Sequence, residues 1–347
     1  MSTSIGDAIL VLRRSSGITQ EALANAVGIT QVALSRYENG LRTPNDNVLG
    51  KLAEALGVTI PLLRHEFRMR GAIAVDAHMR RPRTAPPADW KRIEARLNAL
   101  RMQSSFLLER TPLTPTNSVA HFDPDEYSPD DIARLLRAAW RMPIGPVRNL
   151  TRWVESAGIL VAEEDFGTHR IDGMSQWAGS HAVVLLNISL PTSRKRWTLA
   201  HELGHLVMHT NYVDIDVEEQ ANQFAEEFLM PEHVIRSELR SLTLGKLADL
   251  KREWGTSMQV LSERALHLGL AASADRQRIH RQLNSRGWKT NEPGDNHLPP
   301  EVPELITAIG QKMKDAGLTD GEIKTLAGAA PGARTPFLPA ERRLQAV

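Results

Sequence analysis

Fourteen residues, Arg196-Trp-Thr-Leu-Ala-His-Glu-Leu-Gly-His-Leu-Val-Met-His209, constrain this chain more than any other stretch. Leu199, Leu203, Leu206 and Val207 recur at helical spacing and must be buried, so the segment reads as a rigid core helix. On it His201 and His205 stand at i and i+4, and both imidazoles leave one face at a separation that one metal ion can bridge. Glu202 lies one residue off that face, placed to reach water at a metal rather than the metal itself. The 347 residues include no cysteine, which excludes disulfides, thiolate metal sites and a catalytic thiol. Any metal must therefore be held by His, Asp or Glu.

Two histidines at this spacing also arise by chance, so a third ligand is required. His209 extends the stripe, but at ~1.5 Å rise per residue an unbroken helix puts it ~12 Å from His201. It is a ligand only if the helix breaks early, and otherwise supports one from behind. Glu218, in VEEQANQFAEEFLMP, is the better candidate. It shares a face of a second helix with Asn222 and Ala225, while Ala221, Phe224 and Phe228 pack that helix. Glu218 as ligand, with Asn222 one turn on to hydrogen-bond a ligand His, gives an open site of two His and one Glu. Glu219, Glu226 and Glu227 are expected to face solvent.

Short apolar-periodic segments separated by Gly17, Gly28, Gly40 and Gly57 predict an all-helical head over residues 1–66. Thr19 caps a helix that buries Leu23, Ala24 and Val27, Gly28 turns the chain, and Thr30 caps a second helix that buries Leu34 and Tyr37. This helix-turn-helix exposes Gln31, Val32, Ala33, Ser35 and Arg36, where a recognition helix meets bases and phosphates of double-stranded DNA. A protein-interaction module uses the same scaffold, and the head's six basic residues are balanced by six acids.

The formal net charge of +1 hides an uneven distribution: over residues 67–110 ten Arg and Lys face four acids. That basic joint suits a polyanion partner or a solvated surface. Within it, residues 80–90 read as a Pro-rich linker, open to self-cleavage over 80–87, and residues 89–109 as an amphipathic helix. Beyond a second break at 111–117, helices over 128–142 and 146–157 and strands in GILVAEE and HAVVLLNIS predict a two-layer α+β domain. The strand at 183–187 is expected to offer an edge to an extended peptide. Residues 241–286 are helical, either packed on that domain or forming another helix-turn-helix. Residues 290–303 read as an exposed linker before a short helical tail, loose from residue 331. The expected divisions are 1–66, 67–118, 119–240, 241–290 and 291–347. No run approaches the ~18 apolar residues of a membrane span, and no signal-peptide pattern opens the chain, so a cytoplasmic location is expected.

TQEALANAVGIT, SRYENG and TPNDNVLGKLAEALGV resemble the helix-turn-helix modules of the xenobiotic-response-element, lambda-repressor-like family, over about residues 5–62. The resemblance implies that Gln20 braces the recognition helix and touches phosphate. It also implies that Gln31 and residues 33–36 read bases, and that a homodimer binds a palindromic operator. RWTLAHELGHLVMH followed by EEQANQFAEEFLMP resembles the ImmA/IrrE family of metallo-endopeptidases. LLRAAWRMPIGPVRNLTRWVESAGILV and VVLLN upstream, and LKREWGTSMQVLSERALHLG and GWKTNEP downstream, add to it. This implies a zincin-like α+β metallopeptidase domain with a helical C-terminal extension, zinc (Zn2+) held by His201, His205 and Glu218, and Glu202 as the proton acceptor. Gln220 replaces an acid often found there, removing a rival ligand. The substrate implied is a repressor of the helix-turn-helix type. Tyr212, His233 and His181 are candidate oxyanion partners. Fusion to a DNA-reading head leaves two other readings open: a non-proteolytic regulator or antitoxin that senses a ligand or grips a toxin-like partner, and a regulator with a structural zinc.

Overall fold

Local capping builds the head. The computed structural model describes residues 4–67, 86–209, 216–289 and 291–339. Ser4 and Asp7 form a reciprocal capping box on α1 (Ile5–Ser15). Thr19 caps α2 (Gln20–Val27), Thr30 caps α3 (Gln31–Glu38), Asn45 caps α4 (Asp46–Leu56) and Thr59 caps α5 (Ile60–Arg64). Gly28 sits at φ 75°, the left-handed conformation that makes the turn between α2 and α3. Ile9, Leu23, Leu34, Leu49, Leu52 and Leu62 fill the core between these helices.

The next helix, α6 (Pro87–Leu108), is not amphipathic as expected for residues 89–109. Met102 and Phe106 enter the head's core on one side, while Ile93, Leu97 and Leu100 enter a second core beneath the sheet on the other. Two apolar stripes on opposite sides cover most of the helix circumference. The joint's positive charge is likewise partly engaged by the fold's own carbonyls, and in one case buried. Arg92, Arg96 and Arg110 donate to the carbonyls of Phe166, Asp165 and Phe106, and Arg101 is fully buried. The linker residues 80–85 lie outside the described residues.

The body follows with α7 (Pro129–Ala139), α8 (Leu150–Ser156), β1 (Leu160–Glu164), β2 (Gly173–Ala178), β3 (His181–Asn187), α9 (Thr192–Met208), α10 (Val217–Leu229) and α11 (Glu232–Ile235). The sheet order is β1-β3-β2, with β1 parallel and β2 antiparallel to β3. This corrects the edge expected at 183–187. β3 is central, paired on both sides and buried along its whole length, as an apolar run without alternation requires. The free edge on the metal-site side belongs to β2, which the sequence reading did not anticipate.

Then come α12 (Leu244–Trp254), α13 (Met258–His267) and α14 (Ser273–Ser285). Leu247, Trp254, Met258, Leu261 and Ala265 join the apolar cluster of Leu203 and Val207, so α12 and α13 pack on the body rather than presenting a second DNA reader. The supposed linker at 290–303 is a packed strap. Lys251, fully buried, is held by Glu292 at 2.9 Å and Asp295 at 2.8 Å, and Glu301 pairs with Arg196 at the start of the His201 helix. Glu155 accepts from the backbone N–H groups of Glu304 and Leu305 and so caps α15 (Leu305–Asp315), which precedes α16 (Asp320–Leu326). The tail is not loose as far as residue 338: Phe337 is fully buried, and its carbonyl lies against Gly310. Val58 and Ala329 form a bridge, flanked by Thr59 N–H to Gly328 O and Ala330 N–H to Gly57 O, which fastens the head to this tail.

Candidate metal centre and DNA-reading face

α9 is an unbroken helix from Thr192 to Met208, so its His201 and His205 point the same way, and α10 crosses to meet them with Glu218. His201 Nε2 and His205 Nε2 lie 3.1 Å apart, and the Glu218 carboxylate oxygens lie 3.6 Å and 3.5 Å from them. Two nitrogens bound tetrahedrally to one zinc at ~2.05 Å would stand ~3.3 Å apart. His201, His205 and Glu218 form the cluster with metal-ligand spacing among the described residues.

The hydrogen bonds behind the imidazoles test whether a cation fits. His201 Nδ1 lies 3.0 Å from Asn222 Oδ1, an acceptor, so Nδ1 carries the proton. His209 Nε2 lies 2.8 Å from Gln220 Oε1 and therefore donates there, leaving His209 Nδ1 to accept from His205 Nδ1 at 2.9 Å. These bonds turn the Nδ1 sides of the rings away from the site and direct both Nε2 atoms at each other and at a carboxylate. A positive charge at this point, a second ring proton or a metal ion, satisfies both nitrogens and the carboxylate together. Burial alone would lower the His201 pKa, but Glu218, Glu202 and Asn222 outweigh it and hold it above its ordinary value. The same charges favour any cation at this point.

Glu202 is buried, and its Oε2 accepts from Ser175 Oγ at 2.6 Å on β2. Burial pushes its pKa up, opposed by His201 and by the Ser175 hydroxyl. Ser175 has no sequence signal: it is placed by β2 pairing against β3, which no spacing rule predicts. Gln220, read only as a lost rival ligand, orients His209. Two expected solvent-facing acids are corrected. Glu226 and Glu227 are buried, against His267 and against Arg264 and Arg134. Glu219 is exposed. Among the oxyanion candidates, Tyr212 lies outside the described residues and His233 is exposed on α11. His181 bonds Ser104 on α6, apart from the metal cluster.

In the head, Gln31, Val32 and Arg36 are exposed on α3, and Ala33 and Ser35 half-buried. Gln20 donates to Glu38 at 2.7 Å, and Glu38 is also held by buried Arg13 at 2.5 Å, so α2 and α1 together fix the end of α3. α6 packs on α1 and α5.

The helix-turn-helix family matches residues 9–63, and the peptidase family described as the IrrE N-terminal-like domain matches residues 154–266. An uncharacterized HTH-type transcriptional regulator, y4dJ of Sinorhizobium fredii (strain NBRC 101917 / NGR234), is 41% identical over 59 residues, 17% of this chain and 77% of that protein. Human endothelial differentiation-related factor 1 is 33% identical over 60 residues, again 17% of this chain but only 40% of that protein. With the head and the body each matched in place, the chain belongs to the helix-turn-helix transcriptional regulators and carries an IrrE N-terminal-like peptidase domain behind its DNA-binding head.

Proposed function

We propose that this regulator is also a single-zinc metallo-endopeptidase, acting on a repressor of the helix-turn-helix type or on itself, in the cytoplasm. The observation that carries the reading is the convergence of His201 Nε2, His205 Nε2 and the Glu218 carboxylate at metal-ligand spacing, with Glu202 buried beside them. Zinc held there would supply Lewis acidity for attack on a peptide carbonyl.

The chain's own groups do the rest. Asn222 and His209 hold the imidazoles in one tautomer. Ser175 occupies Glu202 Oε2, which leaves Oε1 to take the proton from attacking water and pass it to the leaving amine. An extended peptide aligns on β2. The Asn187 N–H to Asp172 O bond sets the ladder so that the backbone groups of Gly173 and Ser175 point outward, and no described residue bonds them.

Operator binding is assigned to Gln20, Gln31, Val32, Ala33, Ser35 and Arg36, with a homodimer on a palindrome. A second reading, a non-proteolytic regulator or antitoxin that grips a toxin-like partner, is favoured by one observation: the head is bonded into the body through α6 and the Val58–Ala329 bridge.

The test is metal analysis of the full-length chain together with cleavage of a quenched-fluorescent peptide library and intact mass after incubation with zinc. One zinc per chain, lost in the His201→Ala, His205→Ala double variant, and cleavage abolished by Glu202→Gln are expected. Absence of stoichiometric zinc overturns the reading, and zinc without cleavage transfers it to the non-proteolytic alternative. A fragment ending within residues 80–87 would mark self-cleavage.

A further inference from the structure

A cavity of about 280 Å³ opens beside the β2–β3 turn, walled by Val119, Ile159, Trp177 and Ala182, with His121 and His181 on its polar side. None of His201, Glu202, His205, Glu218 or Ser175 lines it. Its size is near the lower end of the roughly 300–1,000 Å³ typical of ligand pockets. The His121 and Trp177 rings, with centroids 4.8 Å apart, give it aromatic surface.

One hydrogen bond fixes its polarity. With its proton directed to Arg101 O, at 3.1 Å, the Ser104 hydroxyl accepts from His181 Nε2, also at 3.1 Å. His181 then presents Nδ1 as a lone-pair acceptor, and no described residue donates to it. Burial, and secondarily the Arg101 guanidinium, push the His181 pKa down to about 4, so the ring stays neutral. The nearby guanidinium also disfavours a cationic occupant.

The cavity is not a continuation of the peptide groove. A strand added to β2 would need the outward N–H and C=O of Trp177 to reach it. The first donates to Gln176 Oε1 at 3.2 Å, and the second accepts from Arg101. Peptide pairing therefore ends at Ser175, one step short of the cavity.

We propose that this cavity is a site for a small, uncharged planar aromatic molecule that donates one hydrogen bond to His181 Nδ1, of the indole or phenol class. The site adjoins both functions of the chain. Its Trp177 donates from Nε1 to Leu206 O on the His201 helix, and its His181 bonds α6, whose Met102 and Phe106 lie in the head's core.

Indole and N-methylindole, matched in shape but differing in the donor, test the proposal on the full-length protein by ligand-observed NMR and calorimetry. Indole is expected to bind saturably with a Kd on the order of 0.1–1 mM, given its few atoms. N-methylindole should bind about tenfold more weakly for lack of the hydrogen bond. Ser118→Trp, at an exposed rim position where only the backbone carbonyl is used, by Trp140, should abolish indole binding. No saturable indole binding, equal binding of the two probes, or unchanged binding by Ser118→Trp would each overturn it; the probe comparison on the unaltered chain does not depend on the variant folding.

Discussion

The DNA-binding head and the candidate metal centre each set out their side chains on one helix, but they hold them in opposite ways. In the head, α3 leaves Gln31, Val32 and Arg36 in solvent, and its position is set by caps three residues away and by one buried ion pair. In the body, α9 turns its working groups inward. They are oriented by Asn222 and Gln220 from α10 and by Ser175 from β2, 27 residues before Glu202 in the chain. Exposed groups can be changed with little effect on the scaffold, whereas each inward group is coupled to its partners' protonation.

The sharpest break in that comparison is therefore expected at Glu202. Glu202→Gln keeps the shape and the Ser175 contact but cannot take a proton, so peptide cleavage should fall by about 10²–10⁴-fold. Metal content, measured alongside, should stay unchanged; loss of both together would make Glu202 structural. The head's counterpart is Glu38. Glu38→Ala strands Arg13, whose side chain is only 9% exposed, and should cost about 3–5 kcal/mol of head stability in denaturant titration. A cost below about 1 kcal/mol would show that the pair adapts like a surface one.

Ser175→Ala sharpens the contrast further. The Ser175 hydroxyl favours the charged form of Glu202, opposing the upward push of burial. Removing it raises the Glu202 pKa, so less of the carboxylate is ionised at a given pH, and the acidic limb of kcat/KM should move to higher pH. A limb that stays in place would detach it from Glu202.

What was legible in the sequence follows the same division. Caps at Thr19 and Thr30, the glycine turn at Gly28 and the i, i+4 histidines are encoded within a few residues of where they act, and all appear as read. The misreadings involve partners far apart in the chain. Glu226 and Glu227 look like a solvated helix face until Arg264 and His267 of α13 come to cover them. NEPGDN looks like a loop because its acids match a lysine, Lys251, buried in a helix 41 residues earlier. β2 lacks the alternation of an exposed strand because Met174, Ser175, Trp177 and Ala178 are all buried, covered on one face by α6 and on the other by α9.

The smallest effect is expected where the protein has least invested in holding a side chain. Arg36 lies exposed in the last turn of α3, and no described residue pairs with it. If it meets a phosphate, Arg36→Ala removes one counterion-releasing contact without disturbing the Glu38 network beneath, since Glu38 faces Arg13 and Gln20 instead. Operator affinity should then drop about tenfold at low salt, and the slope of log K against log salt should fall by about one, equally for operator and random duplexes. A loss confined to the operator with an unchanged slope would instead make Arg36 a base reader, and place the recognition contacts nearer the C-terminal end of α3 than Gln31 and Val32.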